Sequence, residues 1–220
     1  MAFLDFISGI HQSTKRDYLA RVTACDKAEA ATIAKRFDRE YFDGDRIHGY
    51  GGYRYDGRWV EFSKKLIAHY GLKSGDRVLD IGCGKGFLVH DLTRALPGLQ
   101  VEGVDISEYA IENAMPEIQS QVQVGSALKL PYADHSFDLV LSINVLHNFR
   151  LPELEWAIQE IERVGKEKKF VVMDSYRNER EKVNLLYWQL TCEAFFTPEE
   201  WEWVFHRLGY RGDYDFVCFE

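Results

Sequence analysis

The chain has 220 residues, of which 46% are hydrophobic and 28% charged, a balance typical of a soluble globular protein of one domain with an elaboration. Its formal net charge of −8 disfavours nucleic acid as a partner, because phosphate contacts need clustered lysine and arginine. The four cysteines have no Cys-x-x-Cys spacing, which argues against a zinc site and a disulfide framework. We therefore expect a cytoplasmic protein without metal, membrane span or nucleic-acid partner, present as a monomer or a homodimer.

Residues 1–58 precede the main predicted domain and contain two different segments. His11 to Arg39 is polar, alanine-rich and free of Gly and Pro, which favours a helix packed over one end of the domain or used in dimerisation. Tyr41 to Trp59 is rich in glycine and tyrosine, which predicts either an ordered surface loop or a lid that closes over a ligand. The cations of this segment are Arg46, Arg54 and Arg58. Because a guanidinium matches a carboxylate or phosphate in bidentate geometry, they favour an anionic ligand.

The most informative stretch is Val-Leu-Asp-Ile-Gly-Cys-Gly-Lys-Gly at residues 78–86, which follows a predicted helix at Trp59 to Tyr70. It predicts a buried strand with Asp80 near its end, a loop of three alternate glycines, and a helix that begins at Phe87. Strand, glycine loop and helix form the nucleotide-cradling turn of a doubly wound α/β sheet. Asp80 would repel a pyrophosphate, and Phe87 replaces the third glycine of the dinucleotide fingerprint. A cationic ligand without phosphate, such as S-adenosylmethionine, is therefore favoured over NAD.

The next predicted strand, Val101-Glu-Gly-Val-Asp, ends at Asp105, within the roughly 20-residue interval at which an acid meets a ribose hydroxyl pair. Asp-Ile-Gly-Cys-Gly-Lys-Gly followed by Gly-Val-Asp-Ile-Ser resembles the class I S-adenosylmethionine-dependent methyltransferases. The resemblance extends from Trp59 to the C-terminus. It implies a Rossmann-like, mostly parallel sheet in residues 59–220, S-adenosylmethionine as cofactor, S-adenosylhomocysteine as product and a small-molecule acceptor.

The resemblance also implies which residues contact the cofactor. They are Asp80, Gly82, Cys83, Gly84, Gly86, Asp105, Ile106, Ser126, Ala127 and Asn144. Ser126 stands where the family usually has an aspartate that accepts a hydrogen bond from the adenine amino group. A serine can still accept that bond, but without charge assistance.

The remaining strands are predicted at residues 121–124, 136–142, 170–174 and 214–219, and an added helix at about residues 179–194. Pro152 and Thr197 mark the starts of two further helices. The family sheet normally closes with an antiparallel hairpin, and too little chain remains for its last strand. We therefore expect six strands, or an edge that is completed differently.

Methyl transfer is an in-line displacement, so positioning dominates, and a base is needed only when the acceptor is protonated. The catalytic candidates are His147, Tyr50 and Tyr53, although a lone histidine is often only a structural hydrogen-bonding group. The candidate acceptor contacts are Arg46, Arg54, Arg58 and Tyr176, and Asp174 ends the fifth strand near them. The predicted function is methyl transfer to a small, anionic metabolite. The alternatives are methylation of a protein or peptide, a non-catalytic cofactor-binding protein, and an NAD-dependent oxidoreductase.

Overall fold

The protein is built on a six-stranded sheet in which every strand pair is parallel. The computed structural model describes residues 1–12 and 16–220. The strands are β1 (Arg77–Ile81), β2 (Gln100–Asp105), β3 (Val122–Val124), β4 (Phe137–Ile143), β5 (Gly165–Ser175) and β6 (Asp213–Cys218). Their order across the sheet is β3-β2-β1-β4-β5-β6. Strands β1 to β3 are added toward one edge and strands β4 to β6 toward the other, so the strand order reverses between β1 and β4. Ligands of such sheets bind beyond the carboxyl ends of the strands at this reversal.

Helices cover both faces of the sheet, as its apolar central strands require. Val78 of β1 pairs with Leu139 of β4, and both are fully buried. The helices after residue 59 are α5 (Val60–Tyr70), α6 (Phe87–Ala95), α7 (Glu108–Glu112), α8 (Leu151–Val164), α9 (Glu179–Trp188) and α10 (Pro198–Leu208). The core on one face contains side chains of α5, α6 and α9, and the core on the other contains those of α8 and α10. In the described residues no helix is long and apolar enough to cross a bilayer.

The prediction of a single helix from His11 to Arg39 is wrong. The segment forms α1 (Ser8–Gln12), α2 (Tyr18–Thr23), α3 (Lys27–Ala34) and α4 (Arg39–Asp43), and the part of the predicted helix at residues 13–15 lies outside the described residues. Three aspartates explain the interruptions, because each accepts a hydrogen bond from a backbone N–H at the start of the next helix. They are Asp17, Asp26 and Asp38.

The predicted added helix is shorter than residues 179–194, because α9 ends at Trp188. The chain then turns so that the amides of Glu193 and Ala194 donate to the carbonyl oxygen of His147, at 2.8 and 3.0 Å. These bonds hold the segment after α9 against the loop that follows β4. Residues on both segments thereby face the same end of the sheet.

The sheet has six strands, and its β6 edge pairs with the beginning of the chain. Phe3 forms a parallel bridge with Tyr214. The amide of Leu4 donates to the carbonyl of Tyr214 at 2.9 Å, and the amide of Tyr214 donates to the carbonyl of Ala2 at 3.0 Å. Residues 2–4 therefore satisfy backbone groups on the outer side of β6, where a seventh strand would otherwise be needed.

Candidate active site

A cavity of about 390 Å³ lies beyond the carboxyl ends of β1, β2 and β4, against the glycine loop. This volume falls within the range of small-molecule sites, roughly 300–1,000 Å³. We call it the glycine-loop chamber. Nine of the ten predicted cofactor contacts line it: Asp80, Gly82, Cys83, Gly84, Asp105, Ile106, Ser126, Ala127 and Asn144.

Gly86, the tenth predicted contact, is not among the residues that line this chamber. It precedes α6 with a φ of 72°, a left-handed conformation that favours glycine. A Cβ here would lie 2.4 Å from Cδ1 of Ile118. The structure therefore explains Gly86 by backbone conformation and helix packing and not by ligand contact.

Two buried carboxylates dominate the electrostatics of the glycine-loop chamber. Asp80 is 3% exposed, and its carboxylate accepts no hydrogen bond from the described part of the chain. Burial, together with the nearby Asp105, raises the pKa of Asp80 to about 7. Asp105 accepts hydrogen bonds from the amides of Gly84 and Ser107, at 2.7 and 2.8 Å, and burial raises its pKa. A cationic ligand would relieve the repulsion between the two acids, whereas a pyrophosphate would increase it.

The opposite wall of the chamber comes from Tyr41–Trp59, which we call the aromatic cover. Its residue Asp43 accepts hydrogen bonds from the Lys85 ammonium at 2.5 Å and the Tyr109 hydroxyl at 2.6 Å. The ring of Tyr53 stacks on Phe87, with 4.7 Å between centroids. These contacts hold the aromatic cover against the glycine loop and the first turn of α6.

A second cavity, of about 340 Å³, adjoins the first behind the aromatic cover. We call it the arginine chamber. Its cations are Arg16, Arg21, Arg46, Arg54 and Arg58, so the three arginines predicted from the sequence share one cavity with two that were not. The residues that line both chambers are Tyr41, Tyr50, Tyr53, Trp59 and Asn144. Asn144 ends β4 with a φ of 59°, a conformation that asparagine tolerates better than most residues.

Arginines surround Trp188, the last residue of α9. The guanidinium carbons of Arg21, Arg46 and Arg16 lie 4.7, 5.1 and 5.4 Å from its ring centroid. Arg21 donates to the carbonyls of Trp188 and Arg46, both at 2.8 Å. Burial and the neighbouring Arg46 lower the pKa of Arg21.

These arginines differ in whether a carboxylate neutralises their charge. Within residues 1–12 and 16–220, neither Arg21 nor Arg46 forms a salt bridge with a carboxylate. Arg58 differs, because it forms a two-pronged ion pair with Asp56, with a shortest distance of 2.6 Å. Neighbouring cations without a counterion favour an anionic ligand, so the Arg21–Arg46 side of the chamber can bind one.

The other polar end of the arginine chamber contains the predicted residue His147, together with Asp174 and Gln189. His147 and Asp174 are each 2% exposed, and Nε2 of His147 lies 3.5 Å from Oδ2 of Asp174. The amide of Gln189 donates to the same carboxylate oxygen. A buried acid therefore faces the cations across one cavity.

Tyr50 and Tyr53, the other two predicted catalytic candidates, line both chambers. Tyr50 is 41% exposed, but that surface faces space largely surrounded by protein, and desolvation raises the pKa of its hydroxyl. Burial raises the pKa of Tyr53 well above its usual value. Both phenols are therefore neutral near pH 7 and suited to donate hydrogen bonds, not to remove a proton.

Tyr176 is not among the residues that line either chamber, which contradicts its prediction as an acceptor contact. Its ring packs in the core beside Leu185, with the Lys182 ammonium 5.3 Å from the ring centroid. Conversely, no local pattern of residues marks Arg16, Arg21 or Gln189 as part of the site. Their approach to the site depends on how the N-terminal helices pack against the segment around α9.

Comparison with known proteins identifies the family. Residues 72–209 match a family profile described as a methyltransferase domain. The chain belongs to the class I S-adenosylmethionine-dependent methyltransferases. In this family S-adenosylmethionine is the methyl donor, and a chamber with two acids fits a ligand that carries an ammonium, a sulfonium and ribose hydroxyls.

Three comparisons give the extent of the similarity. The chain is 30% identical to the demethylmenaquinone methyltransferase of Symbiobacterium thermophilum, over 50% of this chain and 46% of that protein. It is 35% identical to the 27-O-demethylrifamycin SV methyltransferase of Amycolatopsis mediterranei, over 48% of this chain and 40% of that protein. The crystal structure of YcgJ from Bacillus subtilis superposes with a TM-score of 0.55 at 24% identity over 66% of each chain, which shows the shared fold. The chain spans about half the length of the curated relatives it matches.

Proposed function

We propose that this methyltransferase-family protein transfers a methyl group to a small acceptor that carries an anionic group. The observation that supports this most strongly is the pairing of two adjoining cavities with opposite electrostatic character. The glycine-loop chamber contains two acids, and the arginine chamber contains Arg21 and Arg46, which form no salt bridge with a carboxylate of the described residues. A cationic donor and an anionic acceptor would each bind in the chamber of opposite charge.

The residues of the glycine-loop chamber would divide the cofactor contacts among them. S-adenosylmethionine supplies a methyl group on a sulfonium, which is already a good leaving group. Asp80 would hold the ammonium, and Asp105, whose oxygens each retain a lone pair, would accept from the ribose hydroxyls. Ile106, an isoleucine with 58% of its surface exposed, and Ser126 would contact the adenine.

The chain itself would contribute orientation and exclusion of water. Asn144 and the tyrosines shared by the two chambers lie where donor and acceptor would meet. Holding two reactants in line can lower a barrier by roughly 7–11 kcal/mol. The aromatic cover would keep water from the reacting atoms, because its rings close the space between the chambers.

Two alternatives are less consistent with the site. NAD would place its pyrophosphate beside Asp80 and Asp105, with Lys35, the one cation lining that chamber in the described residues, already paired with Glu193. A peptide acceptor would have to insert a side chain from outside into the arginine chamber, whose volume is only about 340 Å³. The same experiment distinguishes these possibilities.

The test measures binding first and transfer second. We expect calorimetry to show tight binding of S-adenosylhomocysteine and not of NAD. Small carboxylates and phosphates, each paired with a neutral amide or ester, are then screened by release of S-adenosylhomocysteine. Turnover confined to peptides or to neutral compounds, or tighter binding of NAD, would contradict the proposal.

A matched pair of variants tests the anion contact. Replacing Arg46 by Met removes a charged hydrogen-bond donor, which is worth about 1.5–3 kcal/mol, so KM for an anionic acceptor should rise about 10- to 100-fold. The Kd of S-adenosylhomocysteine should change less than about twofold. Arg39→Met is the control, because Arg39 pairs with Glu40 and is not among the residues lining either chamber.

A further inference from the structure

The carboxylate of Asp174 has one oxygen that is engaged and one that is not. Asp174 lies at the carboxyl end of β5 and lines the arginine chamber. Its Oδ2 accepts the side-chain amide of Gln189 and lies 3.5 Å from Nε2 of His147. Its Oδ1 accepts no hydrogen bond from residues 1–12 or 16–220. A buried carboxylate oxygen that faces a cavity without a partner points to a donor on the ligand.

His147 cannot supply the same function in its observed arrangement. The backbone amide of Asp174 donates to Nδ1 of His147 at 3.0 Å, so Nδ1 carries no proton. Burial lowers the pKa of His147, which favours the neutral ring with its one proton on Nε2, facing Asp174. Nδ1 is therefore engaged as an acceptor, and the Nε2 proton faces Asp174 at 3.5 Å, so His147 positions Asp174 and is not itself the base.

We propose that Asp174 accepts the proton of the acceptor's nucleophile, and that the acceptor carries both an anionic group and a hydroxyl or neutral amine. The anionic group would face Arg21 and Arg46, and the hydroxyl or amine would face Oδ1 of Asp174. This rests on the proposed function and narrows it. An acceptor whose only polar group is a carboxylate is excluded, because Asp174 would repel the carboxylate and such a nucleophile has no proton to give.

The reaction balances with these groups alone. A lone pair on the acceptor oxygen or nitrogen forms the bond to the methyl carbon of the sulfonium donor. The carbon–sulfur bond breaks, and its electron pair remains on sulfur. The O–H or N–H bond pair remains on the acceptor atom, and the proton moves to the Asp174 carboxylate. The methylated acceptor and the thioether then leave, and Asp174 returns its proton to water.

Burial makes Asp174 a stronger base than an exposed aspartate. Burial raises its pKa, whereas His147, Gln189 and Arg16 act in the opposite direction. Tyr50, Cys192 and Cys218 also interact electrostatically with it, and burial raises the pKa of each. A carboxylate whose pKa lies closer to the working pH is a more effective proton acceptor than a fully exposed one.

The acceptor class is tested with matched probes. Hydroxycarboxylates, and carboxylates whose amine is neutral at the assay pH, are titrated in increasing length into the protein saturated with S-adenosylhomocysteine, and intrinsic tryptophan fluorescence and calorimetry report binding. Each probe is paired with one analogue that lacks the hydroxyl or amine and another whose carboxylate is an amide. At least one probe should lose about 10-fold or more in affinity on either deletion, because one deletion leaves the buried Asp174 without a donor and the other leaves Arg21 and Arg46 without an anion. Equal affinity within every triplet, or no binding by any probe, would overturn the proposal.

The role of Asp174 is tested by pH profiles with the probe that is turned over. The rate should fall as pH drops through the pKa of Asp174, since only the carboxylate accepts a proton. Asp174→Asn should lower kcat about 100-fold or more and abolish this acid limb, while KM and the Kd of S-adenosylhomocysteine change little. Gln189→Met removes a hydrogen bond that favours the carboxylate, so it should move the acid limb to higher pH. Asp138→Asn, at the opposite end of β4, should leave the profile unchanged.

A measurement on the wild-type protein without acceptor tests the assignment of His147 even if a variant does not fold. Nitrogen-15 NMR of wild-type His147 should show Nε2 protonated and Nδ1 unprotonated, and a proton on Nδ1 would overturn the assignment. Failure to bind S-adenosylhomocysteine would overturn the proposed function itself. If transfer occurs but yields a methyl ester, or survives Asp174→Asn with its acid limb intact, only this further inference is wrong.

Discussion

Asp80 shows how a binding residue can act against the stability of the fold that holds it. Its carboxylate is buried near that of Asp105, and its pKa is raised from 3.8 to about 7. A raised pKa means that the folded state holds the proton more tightly than the unfolded state. This contribution to stability is fully present below pH 3.8 and is lost as pH rises through about 7. Above that pH the charged Asp80 is available to a cation but opposes folding.

We expect Asp80→Asn to stabilise the protein and weaken cofactor binding at the same time. Removing the charge should raise the free energy of unfolding at pH 8 by about 2 kcal/mol, measured by denaturant titration. The affinity for S-adenosylhomocysteine should fall about 10-fold or more, because the ammonium loses a charged partner.

The pH dependence of affinity provides the control. In the wild type, affinity should increase as pH rises from 6 to 8, whereas in Asp80→Asn it should be flat over that interval. A variant that loses stability and affinity together would instead indicate a structural role for Asp80.

Asp105 and Ser126 allow a comparison between two cofactor contacts. Asp105→Ala removes a charged acceptor and leaves the amides of Gly84 and Ser107 unpaired, whereas Ser126→Ala removes one neutral hydroxyl that accepts from Leu128. We therefore expect the larger loss of S-adenosylhomocysteine affinity in Asp105→Ala, by about 1–3 kcal/mol more. Calorimetry on both variants, with circular dichroism to verify folding, makes the comparison. Equal losses of affinity in the two variants would contradict the prediction that Asp105 forms charge-assisted hydrogen bonds with the cofactor.

At the scale of elements, the aromatic cover is held by polar contacts near both of its ends and by ring stacking between them. Asp43 connects it to Lys85 and Tyr109, and the Tyr55 hydroxyl donates to Asp91 at 2.6 Å. Ring contacts between Tyr50, Tyr53 and Phe87 continue from the cover to α6. These contacts hold the cover against the glycine loop, and its closure over a bound ligand, with its glycines as hinges, stays a prediction.

We expect S-adenosylhomocysteine to slow trypsin cleavage at the exposed arginines of the aromatic cover, Arg54 among them, because a closed segment offers less mobile backbone. Asp43→Asn should increase cleavage in the free protein several-fold by weakening the Lys85 contact. Asp45→Asn is the control, since the side chain of Asp45 accepts only from the amide of Ile47 among the described residues. Cleavage rates that do not respond to S-adenosylhomocysteine would favour a fixed structural loop.

Elements that contain a recognisable motif could be located from the sequence. The ends of helices that begin at a capping aspartate could not. The glycine loop and the strand ending at Asp105 depend on residues adjacent in the chain, so their positions followed from spacing. The segment from His11 to Arg39 has helical composition throughout, but Asp17 and Asp26 start new helices. Whether an aspartate caps a helix or lies within it depends on packing that composition does not report.

At the scale of the whole molecule, the β6 edge connects the N-terminal segment to the arginine chamber. Oδ2 of Asp215 accepts hydrogen bonds from the amides of Phe6 and Ile7, at 2.7 and 2.8 Å. Ile7 lines the arginine chamber, so these bonds fix one of its walls. This arrangement explains why Arg16 and Arg21 escaped prediction, because sequence spacing cannot show that residues near position 16 meet residues near position 188.

We expect Asp215→Ala to impair the arginine chamber selectively. The buried amide of Ile7 and the part-buried amide of Phe6 lose their acceptor, at a cost of about 1–3 kcal/mol for the buried one, so residues 6–7 should exchange their amide protons faster. The Kd for an anionic probe should rise more than the Kd for S-adenosylhomocysteine. Glu202→Ala is the control, because Glu202 bonds the Tyr214 hydroxyl on the same strand without contacting residues 6–7. Equal effects on both ligands would show that the two chambers are not independently supported.

The two chambers are lined by different parts of the chain, which determines the order in which they can form during synthesis on the ribosome. Every residue that lines the glycine-loop chamber lies between Lys35 and Phe149, whereas the arginine chamber combines Ile7 with Phe219. Synthesis proceeds from the N-terminus, and α1 gains its place only when β6 has emerged to pair with residues 2–4. A nascent chain would therefore complete its donor site while the acceptor site is still open to solvent. Of the six described strands, β6 is the last to emerge, and it is the one that would close the proposed acceptor site.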